Sequence, residues 1–186
     1  MKRLLGLISA LALPVMLFGG TVYTRAQATS FGDGTFVVGT DIQPGTYRSA
    51  NGQGCYWERE SGFSGSLADI IANDFVNAPT IVTIAPSDQG FKSDGCVAWS
   101  PAAGAITSSP SAPFTDGTYL VGIDIAPGTW RAPGGDGCYW QRLSGFGGTL
   151  GEIIANDNPS GSVIVTIAAS DTGFSTSSCG AWSLAQ

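Results

Sequence analysis

The chain has 186 residues and a formal net charge of −6, with 14 acidic residues, 8 basic residues and no histidine. The scarcity of basic side chains argues against binding to nucleic acid or to an anionic membrane surface, since both need cationic groups that displace counterions. The absence of histidine removes the Ser-His-Asp and Cys-His catalytic arrangements and the commonest zinc ligand sets. The 27 glycines and the low charged fraction of 12% are typical of a secreted β-rich protein.

The first 28 residues predict a signal peptide. A basic start precedes an apolar run, and Ala26-Gln27-Ala28 supplies the small residues that signal peptidase recognises. Cleavage after Ala28 places the rest of the chain in the cell envelope or outside the cell, with no membrane contact. The alternative is an uncleaved membrane anchor, because Leu4–Val22 is nearly long enough to span a bilayer.

The remainder of the chain is a tandem duplication. The stretch FGDGTFVVGTDIQPGTYRS from Phe31 returns as FTDGTYLVGIDIAPGTWRA from Phe114, offset by about 83 residues without insertion or deletion. We predict two homologous units, at residues 29–100 and 114–186, joined by an Ala/Ser/Pro-rich linker at residues 101–113. Such a linker lets the units move separately or pack into one body.

Each unit is predicted to be mainly β, a small sandwich or barrel-like fold, because short β-branched and aromatic runs alternate with turn signals. The Pro-Gly dipeptides at 44–45 and 127–128 predict type II turns in which glycine supplies a positive φ. Further turns are predicted at 87–90 and 170–173. The predicted strands are Thr35–Gly39, Thr46–Ser49, Cys55–Arg59, Thr80–Ala85 and Cys96–Ser100, with counterparts Thr118–Gly122, Thr129–Ala132, Cys138–Arg142, Val163–Ala168 and Cys179–Ser183.

One stretch in each unit predicts a short helix. In GSLADIIAND, Ser66 stands three residues before Asp69 as in a capping box, and the apolar residues fall at helical spacing. Thr149 and Glu152 repeat the pattern in the second unit. We predict one or two helical turns that end near Asn73 and its counterpart. The alternative is a buried strand, because a short Ile-Ile run fits both periodicities.

The four cysteines predict one disulfide in each unit. Cys55 with Cys96 and Cys138 with Cys179 have the same separation, and a single ancestral unit had only its own two cysteines to pair. A bridge that closes a loop of this length stabilises the unit by roughly 3–4 kcal/mol in the chain-entropy model. A zinc site is disfavoured because no C-x2-C pair is present, and we expect no cofactor and no metal.

Strand alternation separates the aromatic residues. Cys55 and Trp57 should face one side of their strand and Tyr56 the other, and the second unit repeats this order. Most aromatic side chains are expected to fill the cores, including Phe63, Phe91, Trp99, Phe146, Phe174 and Trp182. The alternative is a platform for sugar rings. Its candidate residues are Tyr47, Tyr56, Trp130 and Tyr139.

Charged residues kept in both units have simple structural roles available. The retained acids are expected to accept hydrogen bonds from backbone N–H groups at turns. The alternatives are a calcium site formed by clustered loop oxygens and a carboxylate pair that catalyses glycoside hydrolysis. The retained acids are Asp33, Asp41, Asp74 and Asp88, with Asp116, Asp124, Asp157 and Asp171. Arg48 and Arg59 recur as Arg131 and Arg142. We expect ion pairs with retained Asp residues, or else a fork at Arg59 and Arg142 that holds a ligand carboxylate or sulfate.

The combined motifs VGxDIxPGTYR, GCYWxR, IIAND, IVTI, SDxGF and CxAW resemble a tandem repeat module of uncharacterised bacterial proteins that are secreted or attached to the cell envelope, often as predicted lipoproteins. The resemblance covers both repeats nearly end to end. It implies an extracytoplasmic β module of unassigned activity, with no catalytic residues to transfer. This chain lacks the lipidation cysteine of the lipoprotein members.

The leading functional hypothesis is a non-catalytic secreted or cell-envelope binding module, whose partner is a cell-wall polysaccharide or an extracellular protein. The first alternative is a carboxylate-dependent glycan hydrolase, which needs two retained carboxylates in one cleft. The second alternative is a purely structural envelope protein, which needs no concave site with exposed aromatic residues.

Overall fold

The computed structural model describes residues 29–50, 54–102 and 110–185. The predicted signal peptide and residues 103–109 of the predicted linker lie outside this range. The described residues form two similar β units, as predicted, with no α-helix among them. None of their helical turns has the length and apolar character needed to cross a membrane.

Unit 1 is a sandwich of two antiparallel sheets. Its strands are β1 Gly34–Val37, β2 Gly45–Ser49, β3 Cys55–Glu60, β4 Ile70–Val76, β5 Thr80–Ile84, β6 Gly90–Asp94 and β7 Trp99–Pro101. One sheet has the order β1-β6-β3-β4 and the other the order β5-β2-β7.

Unit 2 repeats this topology. Its strands are β8 Gly117–Leu120, β9 Gly128–Ala132, β10 Tyr139–Leu143, β11 Ile153–Asp157, β12 Val163–Ile167, β13 Gly173–Ser177 and β14 Ser183–Leu184. The four-stranded sheet has the order β8-β13-β10-β11 and the three-stranded sheet the order β12-β9-β14.

An aromatic core fills the space between the two sheets of each unit. In unit 1, Phe91 and Trp99 are fully buried and meet edge to face with ring centroids 5.4 Å apart. Phe174 and Trp182 make the same contact at 5.2 Å in unit 2. Each buried aromatic side chain contributes about 1.5–3 kcal/mol by leaving water. The predicted core role of these four residues is confirmed.

Both predicted disulfides are present. Cys55 bonds to Cys96 and Cys138 to Cys179, each across a sequence separation of 41 residues. All four cysteines are buried within the aromatic cores. Each bridge therefore ties the four-stranded sheet to the segment that leads into the last strand of its unit.

The predicted helix is wrong beyond its first turn. A single 3-10 turn covers Leu67–Asp69, and the following residues form β4, which pairs with β3. Ser66 caps the turn, since its Oγ accepts from the Ala68 N–H at 3.2 Å. In unit 2 the turn is Leu150–Glu152 and strand β11 follows. The alternative is correct in that the Ile-Ile run forms a strand, because pairing with β3 satisfies backbone groups that an isolated turn leaves open. It is wrong in that the strand is not buried, since Ile71 is 37% and Ile154 is 47% exposed.

The predicted type II turns are also wrong. Gly45 and Gly128 begin strands β2 and β9 instead of forming the corner. Gly45 has no positive φ, and the φ of Gly128 is 153°, far from the roughly 80° that the third position of a type II turn needs. Values suited to a tight turn lie earlier, at Gly39 (84°) and Gly122 (80°). The Gly39 N–H donates to the Ile42 carbonyl at 2.7 Å, so the chain reverses before the Pro-Gly pair and turns Ile42 into the core.

The two units pack against each other through an interface that we call the seam. Phe146, in the loop between β10 and β11, is buried in an apolar cluster with Ile81 of β5, Ala102 and Leu143. The Thr83 N–H donates to the Phe146 carbonyl at 2.8 Å. The seam therefore joins a strand of unit 1 to a loop of unit 2.

Polar contacts surround this apolar centre. Arg48 forms an ion pair with Asp124 at 2.9 Å, and the Nη1 of Arg59 donates to the Gly147 carbonyl at 2.7 Å. On the other side, a Thr118 N–H donates to the carbonyl of Pro79 at 2.8 Å. Direct hydrogen bonds thus fix the orientation of one unit against the other.

Equivalent residues of the two units have opposite exposure at the seam. Phe146 is 5% exposed, whereas its counterpart Phe63 is 53% exposed. Ile81 is 5% exposed, whereas its counterpart Ile164 is 57% exposed. The predicted core role of Phe63 is therefore wrong, because this loop position is buried only where another unit covers it.

We expect Phe146→Ala to lower the free energy of unfolding by about 3 kcal/mol, since it opens a cavity in the seam. The matched variant Phe63→Ala removes a side chain that is more than half exposed and should cost below about 1 kcal/mol. Urea unfolding of the two variants measures both effects. Equal losses would contradict the burial difference described here.

Candidate functional site

A cleft lies between the two units beside the seam. Two adjoining cavities of about 270 and 440 Å³ make up this cleft. Unit 1 contributes residues of β4 and the segment that follows it, and unit 2 contributes the outer face of its four-stranded sheet. Both cavities are lined by Asp74, Thr118, Tyr139, Gln141 and Ser175.

Sheet register places three of these polar side chains in one row. Gln141 of β10 pairs with Ser175 of β13, which in turn pairs with Thr118 of β8. Residues at paired positions lie side by side on the same face of a sheet. The hydroxyl of Thr118 donates to the Ser175 Oγ at 3.2 Å. The row therefore presents one amide and two hydroxyls to the cleft.

Tyr139 borders this row with its hydroxyl held from two sides. The Nδ2 of Asn156 donates to the Tyr139 hydroxyl at 3.0 Å, and that hydroxyl donates to the Oε1 of Gln141 at 3.1 Å. The ring is half-buried, so it is both fixed and partly accessible. A tyrosine held in this way offers an apolar face beside polar groups.

Tyr56, the counterpart of Tyr139, lies on the open outer face of unit 1. It is half-buried, accepts from Asn73 at 3.0 Å and donates to Glu58. The ammonium of Lys92 lies 5.6 Å from its ring centroid. Neither cavity of the cleft is lined by Tyr56. The structure therefore brings one of the two predicted tyrosines to the cleft and leaves the other outside.

Asp74 supplies a carboxylate on the unit 1 side. Its side chain is exposed to solvent but lies between the two units, and the resulting partial loss of solvent raises its pKa. The Phe75 N–H, which donates to Oδ1 at 2.8 Å, acts in the opposite direction. Oδ2 has no hydrogen-bond partner among the described residues, so it is available as an acceptor.

The charges around the cleft are negative. The ionisable acids that line the cavities are Asp74, Asp116 and Glu152, and neither Lys nor Arg lines them among the described residues. Glu152 is already occupied, since it accepts from the N–H groups of Gly147 at 3.0 Å and Thr149 at 3.2 Å. A neutral ligand fits this lining better than an anion does.

The indole of Trp57 forms part of the wall, with its Nε1 buried and without a hydrogen-bond partner among the described residues. The Nε1 of Trp140, its counterpart, is in the same state. Because both units share the feature and only one borders the cleft, we assign it to the fold and not to ligand binding.

Two residues of the predicted sugar platform are buried. Tyr47 and Trp130 have no exposed surface and belong to the aromatic cores. The Tyr47 hydroxyl donates to the Gln43 carbonyl at 2.7 Å, and the Trp130 Nε1 donates to the Ala126 carbonyl at 3.0 Å. Both rings are thus satisfied inside the fold, and neither can present a face to a ligand.

The predicted ligand fork at Arg59 and Arg142 is occupied by protein groups. Arg59 pairs with Asp88 through two hydrogen bonds of 2.7 and 2.8 Å, and its third nitrogen donates across the seam. Arg142 pairs with Asp171 at 2.6 and 2.8 Å. The expected ion pairs with retained Asp residues are therefore present.

Retained acids also hold turns, as expected. Asp41 accepts from the Val37 N–H and Asp124 from the Leu120 N–H, both at 2.8 Å. The turn role is wrong for two other retained acids: Asp33 accepts from the distant Cys96 N–H at 3.0 Å, and Asp74 lies within strand β4. Within the described residues, no group of three or more Asp, Glu or Cys side chains is arranged to hold a metal ion.

Sequence reasoning missed Gln141 and Ser175, because it looked for identities between the units. These positions carry Glu58 and Lys92 in unit 1. The sequence signal for this site is the difference between the units at equivalent positions: charged residues on the open sheet face of unit 1 are replaced by neutral residues on the covered face of unit 2.

Comparison with known proteins agrees with this architecture. The chain belongs to the family of Rv1352-like extracellular domains, whose family model matches residues 28–100 and 111–183. Two relatives are the uncharacterised proteins Rv1352 of Mycobacterium tuberculosis (strain H37Rv) and Mb1387 of Mycobacterium bovis. Each is 27% identical over 108 residues, which covers 50% of this chain and 88% of the relative. No solved structure matches the chain significantly. The chain is therefore a tandem pair of extracellular β modules.

Asp171→Asn should change how stability depends on pH. Burial alone would raise the pKa of Asp171, but the Arg142 guanidinium and the Ala168 N–H hold it below its usual value. Such a carboxylate stabilises the fold above its unfolded pKa of about 4, and this contribution is lost as the pH falls through the lower folded value.

The difference in free energy of unfolding between wild type and Asp171→Asn should therefore be largest near neutral pH and shrink below about pH 4. Urea unfolding at a series of pH values measures it, with Asp136→Asn at an exposed position as control. A difference that does not change with pH would contradict the role of the ion pair.

Proposed function

We propose that this member of the Rv1352-like extracellular domain family is a non-catalytic binding module of the cell envelope or the secreted fraction. We infer that the cleft between its units binds a neutral cell-wall saccharide. One observation carries the proposal: the half-buried ring of Tyr139 borders a row of amide and hydroxyl groups in a cleft without cationic lining.

A saccharide needs this combination of groups. Its ring carbons pack on an aromatic face, and its hydroxyls both donate and accept hydrogen bonds. Tyr139 offers the aromatic face, Gln141 offers a donor and an acceptor, and Asp74 offers an acceptor. The combined size of the two cavities is in the range of small-molecule sites.

The charge of the cleft narrows the ligand class. The acidic lining and the net charge of −6 oppose a phosphate-rich or carboxylate-rich polymer. Binding of a neutral saccharide should therefore be insensitive to salt, unlike binding governed by surface charge.

The hydrolase alternative has less support. Glycosidases use two carboxyl groups that flank the scissile bond. At the smaller cavity, Glu152 is held by backbone N–H groups in a turn, which leaves Asp74 without a matching free carboxyl there. Asp74 and Asp116 both line the larger cavity, so hydrolysis is kept as an outcome of the assay below. The purely structural alternative needs no concave aromatic site, and the accessible ring of Tyr139 speaks against it.

Tyr139→Ala is expected to weaken binding to a cell-wall preparation, and to the neutral oligosaccharides released from it, by about tenfold, as one lost aromatic contact costs roughly 1.4 kcal/mol. The matched control is Tyr56→Ala, which removes the same residue from the open face of unit 1. Pull-down and calorimetric titration at low protein concentration measure both variants.

Tyr56→Ala should bind like the wild type. Equal losses in both variants would place the ligand elsewhere, and no retention of the wild type on any cell-wall fraction would refute the saccharide proposal. Release of shortened oligosaccharides during the assay would replace binding with hydrolysis as the function.

A further inference from the structure

The seam is heterologous, because it joins two different surfaces of a repeated unit. We call the surface around Ile81 of unit 1 the strand surface and the surface around Phe146 of unit 2 the loop surface. Each unit carries both surfaces, so the single seam leaves two of them uncovered: the loop surface of unit 1, around Phe63, and the strand surface of unit 2, around Ile164.

The uncovered loop surface already has the conformation that the seam uses. A Cβ on Gly90 would lie 2.6 Å from the Cε1 of Phe63, and a Cβ on Gly173 would lie 2.3 Å from the Cε1 of Phe146. Each ring therefore packs against the equivalent glycine of its own unit. Phe63 has the same position on its own unit as Phe146, but no other unit covers it.

Gly148, which contacts Trp57 across the seam, has an equivalent glycine on the uncovered loop surface, Gly65. A Cβ on Gly148 would lie 2.5 Å from the Cη2 of Trp57, whereas nothing lies within 4 Å of the equivalent point on Gly65. Their φ angles are 74° and 76°. The space in front of Gly65 thus matches the space that Trp57 fills at the seam.

The charges that complete the seam are present on the uncovered surfaces too. Asp41 accepts from the Val37 N–H, as Asp124 accepts from the equivalent N–H of unit 2. Asp124 also pairs with Arg48, but Asp41 has no ion-pair partner within the described residues. The same is true of Arg131, the exposed counterpart of Arg48. One surface carries the acid and the other carries the base, so they are complementary.

Arg142 lacks the hydrogen bond that its counterpart Arg59 makes across the seam. Arg59 donates its Nη1 to Gly147 across the seam, and its side chain is 8% exposed. Arg142 keeps both bonds to Asp171, but its side chain is 23% exposed and its Nη1 has no partner among the described residues. A carbonyl donated by another loop surface would satisfy it.

We propose that a second copy of this chain covers these surfaces, with the loop surface of unit 1 in one copy docked on the strand surface of unit 2 in the next. The contact repeats the seam between molecules. Because it is heterologous, it does not stop at a dimer: each added copy again exposes one surface of each kind, and the assembly grows as a ring or a filament.

This contact is weaker than the seam. Glu60 stands where Leu143 packs at the seam, and its Oε2 is buried without a partner among the described residues. Docking would remove the remaining solvent from this half-buried carboxylate without supplying a hydrogen-bond partner for it. We therefore expect association that depends on protein concentration and strengthens in Glu60→Leu.

Two single variants test the geometry. Phe63→Lys blocks the loop surface of unit 1, and Ile164→Lys blocks the strand surface of unit 2; both residues are more than half exposed, so both variants should fold. Sedimentation velocity should show wild type growing beyond a dimer with concentration, and each variant alone should stay monomeric. Val97→Lys, at another exposed apolar residue, should associate like the wild type.

A mixture of the two variants is decisive. Phe63→Lys still has a free Ile164 surface and Ile164→Lys still has a free Phe63 surface, so together they should form a 1:1 heterodimer that grows no further. The proposal is overturned if the mixture stays monomeric, if either variant dimerises alone, or if Glu60→Leu does not strengthen association. No ligand enters this experiment, so its outcome is independent of saccharide binding.

Discussion

The burial of Phe146 under β5 of the other unit is the contact on which the rest of the structure depends. It brings the outer sheet face of unit 2 against unit 1 and so creates the cleft that contains Tyr139. It also determines what remains uncovered. A single contact between unlike surfaces of a repeated unit always leaves one surface of each kind free, which accounts for the exposure of Phe63 and Ile164.

Differences between the units follow from this covering. Leu143 and Gln141 face the seam and cleft, and the same positions on the open face of unit 1 carry Glu60 and Glu58. Glu58 is buried within unit 1, where the Tyr56 hydroxyl donates to it, and Glu60 is half-buried. A covering unit would remove the remaining solvent from these carboxylates at a high cost. The neutral face can therefore bind a ligand between units, whereas the charged face is suited to solvent or to a weak contact.

Local physics made part of this structure predictable. Equal cysteine spacing indicated both disulfides, and strand alternation correctly separated Trp57 from Tyr56. The Ile-Ile run could not be assigned alone, because its strand depends on pairing with β3. The burial of Phe146 was predicted, but within the core of its own unit. Its position against unit 1 and the cleft were beyond prediction, because both depend on how the units are placed, which the periodicity within one unit does not encode.

The ion pair of Arg59 with Asp88 links the fold to the seam. It is buried within unit 1, where losing either partner would leave an unpaired charge, and the same guanidinium also donates across the seam. Unit 2 needs the equivalent pair of Arg142 and Asp171 for its own fold. The free nitrogen of Arg142 therefore cannot be removed without destabilising unit 2. Association between copies is more readily tuned at Glu60, because its buried Oε2 has no hydrogen-bond partner among the described residues that a substitution would remove.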